Sequence, residues 1–363
     1  MHPLLLLFLI IGIPAAIGLA YIFLRGSPGL RSYMTTRIAL TIPMILILAT
    51  VVFFVMRILP GDPIDSTLGP KGTAEIKERF AEQHGLDDPI FVQYGRFIGD
   101  IFTLNFGNSL IQSQRPIVDE LGERLPATLE MIIPATMLAL GLGIFLGTRA
   151  GIKRKSATDY GSRIFSVMIY AMPIFWLGLL FQLIFGVWLG WTPIAGRIDP
   201  QIPLERTTNL LVVDSIITAN WAALRSVLAH LILPTLTLGL VLSGVFLRLT
   251  RINVIEANQE DYVAAARARG VSQGTITRRY ALQNAMIPVI TLIGLQVAIL
   301  LAGAVLTETV FAWPGMGRYL IQRILSRDFT AVQSVIVFFA LFVALISLAV
   351  DIVYSLLDPR VRY

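Results

Sequence analysis

Residues 251–286 read RINVIEANQEDYVAAARARGVSQGTITRRYALQNAM. Charge is concentrated here, with six Arg and three acids between Arg248 and Arg279. On either side it stops: residues 226–247 and 280–307 carry no Asp, Glu, Lys or Arg. An apolar run of about 20 residues crosses a bilayer as a helix, the form in which its backbone groups pair internally. Residues 251–283 are therefore a polar loop between two spans. Within it, Asp261 is a good N-cap for a helix starting at Tyr262. Ala264, Ala265, Ala266 and Ala268 are strong helix formers with tiny side chains. Gly270 stands where a left-handed C-terminal cap is needed. The expectation is a helix of about two turns, stopped by glycine. Its small residues would let another surface approach the backbone, with Tyr262 as an anchor and Arg267 and Arg269 supplying charge. A second amphipathic stretch, Thr275 to Gln283, leads back into the membrane. The bland alternative is an ordinary basic loop held by anionic lipid.

Working outward, five more runs have the same character. Residues 3–24 and 38–56 are uncharged, 125–148 hold only Glu130, 164–196 are uncharged and 329–350 complete the set. In the 164–196 run only the first part need be helix, because Gly190, Pro193 and Gly196 mark a turn-rich tail. The fold class is an all-α integral membrane protein. The composition agrees, with 55% hydrophobic and 14% charged residues over 363, against about 25% charged in ordinary soluble domains. The first run is expected to be a retained helix rather than a cleaved signal: its 22 apolar residues exceed a normal h-region, and Met1, His2 and Pro3 bring no Lys or Arg.

Lys and Arg in short loops set orientation. Segments 25–37, 149–163, 248–279 and the tail after 356 carry 3, 5, 6 and 2 of them and fall on one side of a seven-span arrangement. The opposite short loops, 197–225 and 308–328, carry 3 each. The expectation is a cytoplasmic C-terminus and an outer N-terminus. The net charge of +6 is then a topology signal and does not point to nucleic acid. The long outer segment, 57–124, has soluble character. Residues 73–83 read as a short helix with Thr73 as N-cap, Ile76 and Phe80 on one face, and Gly85 ending it. It is either a solvated cap or a docking surface for an extracytoplasmic partner.

Several chemistries lack their residues. Cysteine is absent and the three histidines, His2, His84 and His230, are far apart, so no catalytic or metal constellation is expected. No G-x-x-x-x-G-K-[ST] phosphate loop occurs, and none of the four lysines (Lys71, Lys77, Lys153, Lys155) follows a glycine-rich turn. Ion-coupled secondary transport would call for ionisable residues within the spans, and the span cores hold almost none. A channel or secondary carrier is the alternative from another class, and a membrane-embedded hydrolase lacks a catalytic set. Glu308, at the end of an uncharged span, is expensive unless it faces water or a partner. It reads as pathway-lining, as a binding-protein contact or as a local structural pair. Glu130 carries the same readings, and its place within two turns of Arg124 adds a simple pair near the interface. Gly141, Gly143, Gly147, Gly294 and Gly303 read as helix-packing positions, and Pro43, Pro134, Pro173 and Pro288 as kinks. The Pro-Gly pairs 60–61 and 314–315 end helices at the membrane surface. Beside a pore, such rigid turns also suit a gate.

The loop Asp261-Tyr262-Val263-Ala264-Ala265-Ala266-Arg267-Ala268-Arg269-Gly270, followed by Arg279-Tyr280-Ala281-Leu282-Gln283-Asn284-Ala285, resembles the EAA loop of ABC-transporter permeases, in its dipeptide/oligopeptide/nickel version. Ala264 stands where the general motif has Glu, and Gln283 where it has Pro; peptide-type permeases commonly differ at both. Four other segments and the ending resemble the same family: Pro60-Gly61-Asp62-Pro63; Gly85-Leu86-Asp87-Asp88-Pro89 with Gln93-Tyr94 and Phe106-Gly107-Asn108-Ser109; Glu123-Arg124-Leu125-Pro126-Ala127-Thr128-Leu129-Glu130; Glu308-Thr309-Val310-Phe311 with Pro314-Gly315-Met316-Gly317-Arg318; and Asp358 to Tyr363. The likeness covers residues 33–363 and leaves residues 1–32, an extra helix and linker, outside it.

The resemblance implies a core of six transmembrane helices plus that extra one, in a bacterial or archaeal inner membrane. It implies an ATP-driven importer for peptides or related solutes, with a homologous second permease, two ATPase subunits and an extracytoplasmic solute-binding protein. No cofactor is expected on this chain, since ATP-Mg would be used by the partner ATPase. Asp261, Tyr262, Ala264, Ala265, Ala266, Arg267 and Gly270 would form the ATPase-coupling helix. Glu308, Pro314, Gly315 and Gly317 are the candidates for the pathway or the binding-protein contact.

Overall fold

The computed structural model describes residues 3–58, 73–85, 87–109 and 115–357. The Pro60–Pro63 turn, Leu86 and the Asp358–Tyr363 ending lie outside the described residues, as do the neighbours of Gly294 and Gly303. The described residues are helical, apart from loops and one isolated β-bridge, Asn108 to Pro116. In order the helices are α1 (Pro3–Arg25), α2 (Pro28–Ile58), α3 (Ala74–His84), α4 (Ile90–Phe102), α5 (Ile117–Ile152), α6 (Ala157–Ala171), α7 (Ile174–Phe181), α8 (Leu211–Ile217), α9 (Trp221–Ala257), α10 (Asp261–Ala268), α11 (Leu282–Val310), α12 (Met316–Leu325) and α13 (Phe329–Leu357).

Among the described residues, α2, α5, α9 and α13 are long and apolar enough to span a membrane. The α6–α7 pair, with its π-helical extension to Trp188, adds a fifth if counted as one span. α1 and α11 run for 23 and 29 residues. One expectation needs correction. The 164–196 run is not one straight helix: its two halves meet at 100° beside Met172-Pro173. Pro173 lacks an N–H and disfavours helix at the residue before it, so it breaks the helix instead of kinking it. The first helix ends at Arg25 and the second starts at Pro28. Ser27 Oγ accepts from Leu30 N at 3.3 Å and Pro28 takes the first helical position, a standard helix start.

The chain forms two compact units. The first comprises residues 1–126 and 315–348. Its apolar core includes Val52, Met56 and Val332, packed by Leu320, Phe329 and Ile336. The segment after α2 is tied down by polar contacts. Tyr94 OH pairs with Thr50 Oγ1 at 2.8 Å, Arg57 donates to Gln93 at 2.7 Å, Ser109 to Asp328 at 2.6 Å and Ser334 to the Phe106 carbonyl at 2.8 Å. Gln93, Tyr94, Phe106 and Ser109 are thus architectural.

The second unit comprises residues 127–314 and 349–363. Its centre is α9, against which α5 lays a glycine stripe. A Cβ at Gly147 would lie 2.7 Å from the Leu247 carbonyl oxygen, and one at Gly151 2.8 Å from Val254. Gly143 meets Phe246 in the same way, whereas Gly141 faces open space. Three of these four glycines therefore permit close helix approach, the main route to helix association in lipid.

Candidate functional site

The loop after α9 folds into a compact hairpin. Its first helix, α10, begins one residue earlier than expected. Glu260 is the cap, without a side-chain hydrogen bond, and Asp261 opens the helix, where its charge complements the helix dipole. The stop is as expected. Gly270 has φ +74, its N–H reaches the Arg267 carbonyl at 2.9 Å, and Val271 N–H reaches the Ala266 carbonyl at 3.2 Å. This is the paired closure that satisfies orphan carbonyls at a helix end. Ser272 Oγ then accepts from Thr275 N at 3.4 Å and starts the return. A short turn, Gln273–Thr275, passes through a π-helical segment, Ile276–Ala281, directly into α11.

The inside of the hairpin is apolar. Val263, Ala266 and Ile276 are buried together, with Val271 and Tyr280 packed against them. Ala266 is therefore turned inward and serves packing; its side chain is not on the surface open to a partner. Asp261, Tyr262, Ala264, Ala265, Arg267, Ala268, Arg269 and Gly270 are all exposed. The outer face of α10 is a low alanine surface between one aromatic ring and two guanidinium groups. α10 therefore shares its core with the lead-in to α11.

The base of α9 is clamped by a pair that sequence reading missed. Arg251 donates to Asp159 through Nε at 2.5 Å and Nη2 at 3.0 Å. The Asp159 carboxylate also accepts from Lys155 N at 3.0 Å, and Ser156 caps α6 through Asp159 N. The only local signal is Ser156 three residues ahead of an acid in a first turn. The partner lies 92 residues away.

The other motifs meet at a second place in this unit. Ala127 and Thr128 face the segment 308–313. Thr128 Oγ1 donates to Glu308 at 2.6 Å, and Trp313 Nε1 donates to the Ala127 carbonyl at 2.8 Å. Glu308 is 0% exposed, so the local structural pair is the reading its geometry supports. Glu130 does not pair with Arg124, which instead contacts Glu120 at 3.4 Å. Glu130 binds Arg197 and accepts from Val212 N at 2.7 Å. A carboxylate at that depth takes a buried guanidinium as its partner. Gly315 is the N-cap of α12 and Gly317 is buried in its first turn; Pro314 is half-buried. The described residues contain no cluster able to hold a metal ion.

A multi-span helical subunit with a helical hairpin rooted in two of its long helices is the architecture of a membrane permease. Residues 139–363 match the family described as binding-protein-dependent transport system inner membrane component, and residues 30–132 match its N-terminal companion family. The dipeptide transport system permease protein DppB of Alkalihalophilus pseudofirmus is 39% identical over 332 residues, covering 92% of this chain and 99% of that protein. The protein of the same description in Escherichia coli is 35% identical over 335 residues, covering 91% and 98%. The glutathione transport system permease protein GsiC of Salmonella paratyphi A is 36% identical over 332 residues, covering 92% and 99%. The chain therefore belongs to the binding-protein-dependent ABC permease family. It is the multi-pass inner-membrane subunit of an ATP-driven importer and not an enzyme; ATP hydrolysis belongs to a separate subunit. The channel or secondary-carrier alternative falls with that assignment.

Proposed function

We propose that this permease imports short peptides, and that α10 is the helix through which ATP hydrolysis drives it. The peptide reading is supported by the relatives, which are described as transporting dipeptides or glutathione. The coupling reading is carried by one observation: an exposed, small-residue helix shares a buried core with the lead-in to a 29-residue membrane helix. Two ATPase subunits dock on the α10 hairpins of this chain and of a homologous second permease, and a solute-binding protein delivers peptide on the opposite side. The hairpin and the C-terminus are cytoplasmic, in keeping with the basic bias of their side. Closure of the ATPase dimer moves α10, and the π-helical lead-in passes that displacement to α11. The transition requires the ATPase to bind the two states with different affinity. ATP-Mg is used by the partner. Expression of the intact chain with its genomic neighbours, followed by affinity purification in mild detergent, tests the assembly. An ATPase subunit and a second permease are expected in the complex, and a chain recovered without an ATPase would contradict the proposal.

A further inference from the structure

A cleft of ≈ 590 Å³ lies between α6, α9 and α11, wholly within the second unit. Its rim is exposed: Val167, Tyr170, Ile252 and Ile299, with the Arg248 guanidinium beside them. Two buried polar side chains reach its floor. Ser166 Oγ is satisfied by the Gly244 carbonyl at 2.8 Å. Gln296 is 7% exposed, lines the cleft, and has no hydrogen bond to another described residue. It is also the only amide side chain between Asn284 and Glu308. A buried primary amide has two donors and an acceptor to satisfy, and leaving them empty in an apolar span is unfavourable. Whatever occupies the cleft can supply a partner.

We infer that Gln296 pairs with a peptide bond of the transported solute. Its Oε1 can accept the peptide N–H, a group common to peptides whatever their side chains, and so reads a peptide without reading its side chains. Arg248 at the rim pairs with the terminal carboxylate, and the apolar walls accept varied side chains. A lipid acyl chain filling the same cleft would leave the amide unpaired. This inference rests on the peptide-import reading above.

The test uses the complete complex in proteoliposomes, with dialanine and its N-methylated analogue each supplied on saturating binding protein. Wild type is expected to move dialanine about 10-fold faster, the order of one lost hydrogen-bonded pair. Gln296→Met, similar in volume, is expected to move both at the same rate. Arg248→Gln, at the exposed rim where folding is not at stake, is expected to slow dialanine and leave its C-terminal amide unaffected. An unchanged preference in Gln296→Met, or equal effects of Arg248→Gln on acid and amide, overturns the inference. Loss of the second permease from the purified Gln296→Met complex also overturns it, because the amide then belongs to a subunit interface. A wild-type complex that takes up no peptide overturns the peptide reading itself, whereas active wild type with an unmoved variant overturns this inference alone.

Discussion

Gly147 and Gly141 stand six residues apart in one helix, and their surroundings differ. A Cβ at Gly147 would press on the backbone of α9; at Gly141 it would meet nothing within 4 Å. Gly147→Val is expected to destabilise the purified complex by about 1–3 kcal/mol, the usual cost of overpacking, and Gly141→Ala to leave the thermal midpoint unmoved. Equal midpoints would contradict the packing described here. Gly270 poses a different test. Open space surrounds it, but its φ is +74, so only backbone conformation limits a replacement. Gly270→Val is expected to lose about 1–2 kcal/mol locally and to show as faster amide exchange across α10, with Gly270→Asn intermediate. Exchange unchanged in both would contradict the role given to this cap. Gly270 was legible in the sequence because glycine is the common residue at that position. The equivalent positions after α4, α8, α11 and α12 are filled by Leu104, Ala219, Ala312 and Arg327, all at positive φ. Composition offers no sign of those turns, and each becomes evident only from the backbone bonds that close it, such as Trp313 N to the Glu308 carbonyl at 2.8 Å.

At the scale of elements, apolar run length located the long helices, since lipid demands one secondary structure and one minimum length. It did not locate their ends. α2 and α9 extend well past their uncharged stretches, and the 164–196 run hid a right-angled break at Pro173. Ion pairs were less legible still, because partners are chosen by packing and not by proximity in sequence: Glu130 passes over the nearby Arg124 for Arg197. The α6–α9 clamp makes the same point. Asp159 and Arg251 are nearly and largely buried, and the bond between them is bidentate. A double-mutant cycle with Asp159→Ala and Arg251→Ala, read by chemical denaturation, is expected to show a coupling of about 2 kcal/mol. Additive single effects would mean that the two groups act independently.

For the whole molecule, the family assignment sets a division of labour: this chain provides the membrane helices, and a separate subunit hydrolyses ATP. The extra helix α1 precedes residue 30, where the family match begins, and Ser27-Pro28 starts α2 independently of it. Deletion of residues 2–26 is therefore expected to leave peptide uptake within about two-fold, provided the complex still reaches the membrane; abolished uptake in a complex that assembles would give α1 a transport role. Ala265 is exposed on the outer face of α10 and packs against nothing in the hairpin core. Ala265→Trp should thus spare the fold and block only what approaches from outside. The decisive measurement is ATP-driven peptide uptake by the Ala265→Trp complex, with subunit content measured on the same preparation. The second permease is expected to be retained while ATPase subunits and uptake are lost; wild-type uptake with all subunits in place would contradict coupling through α10.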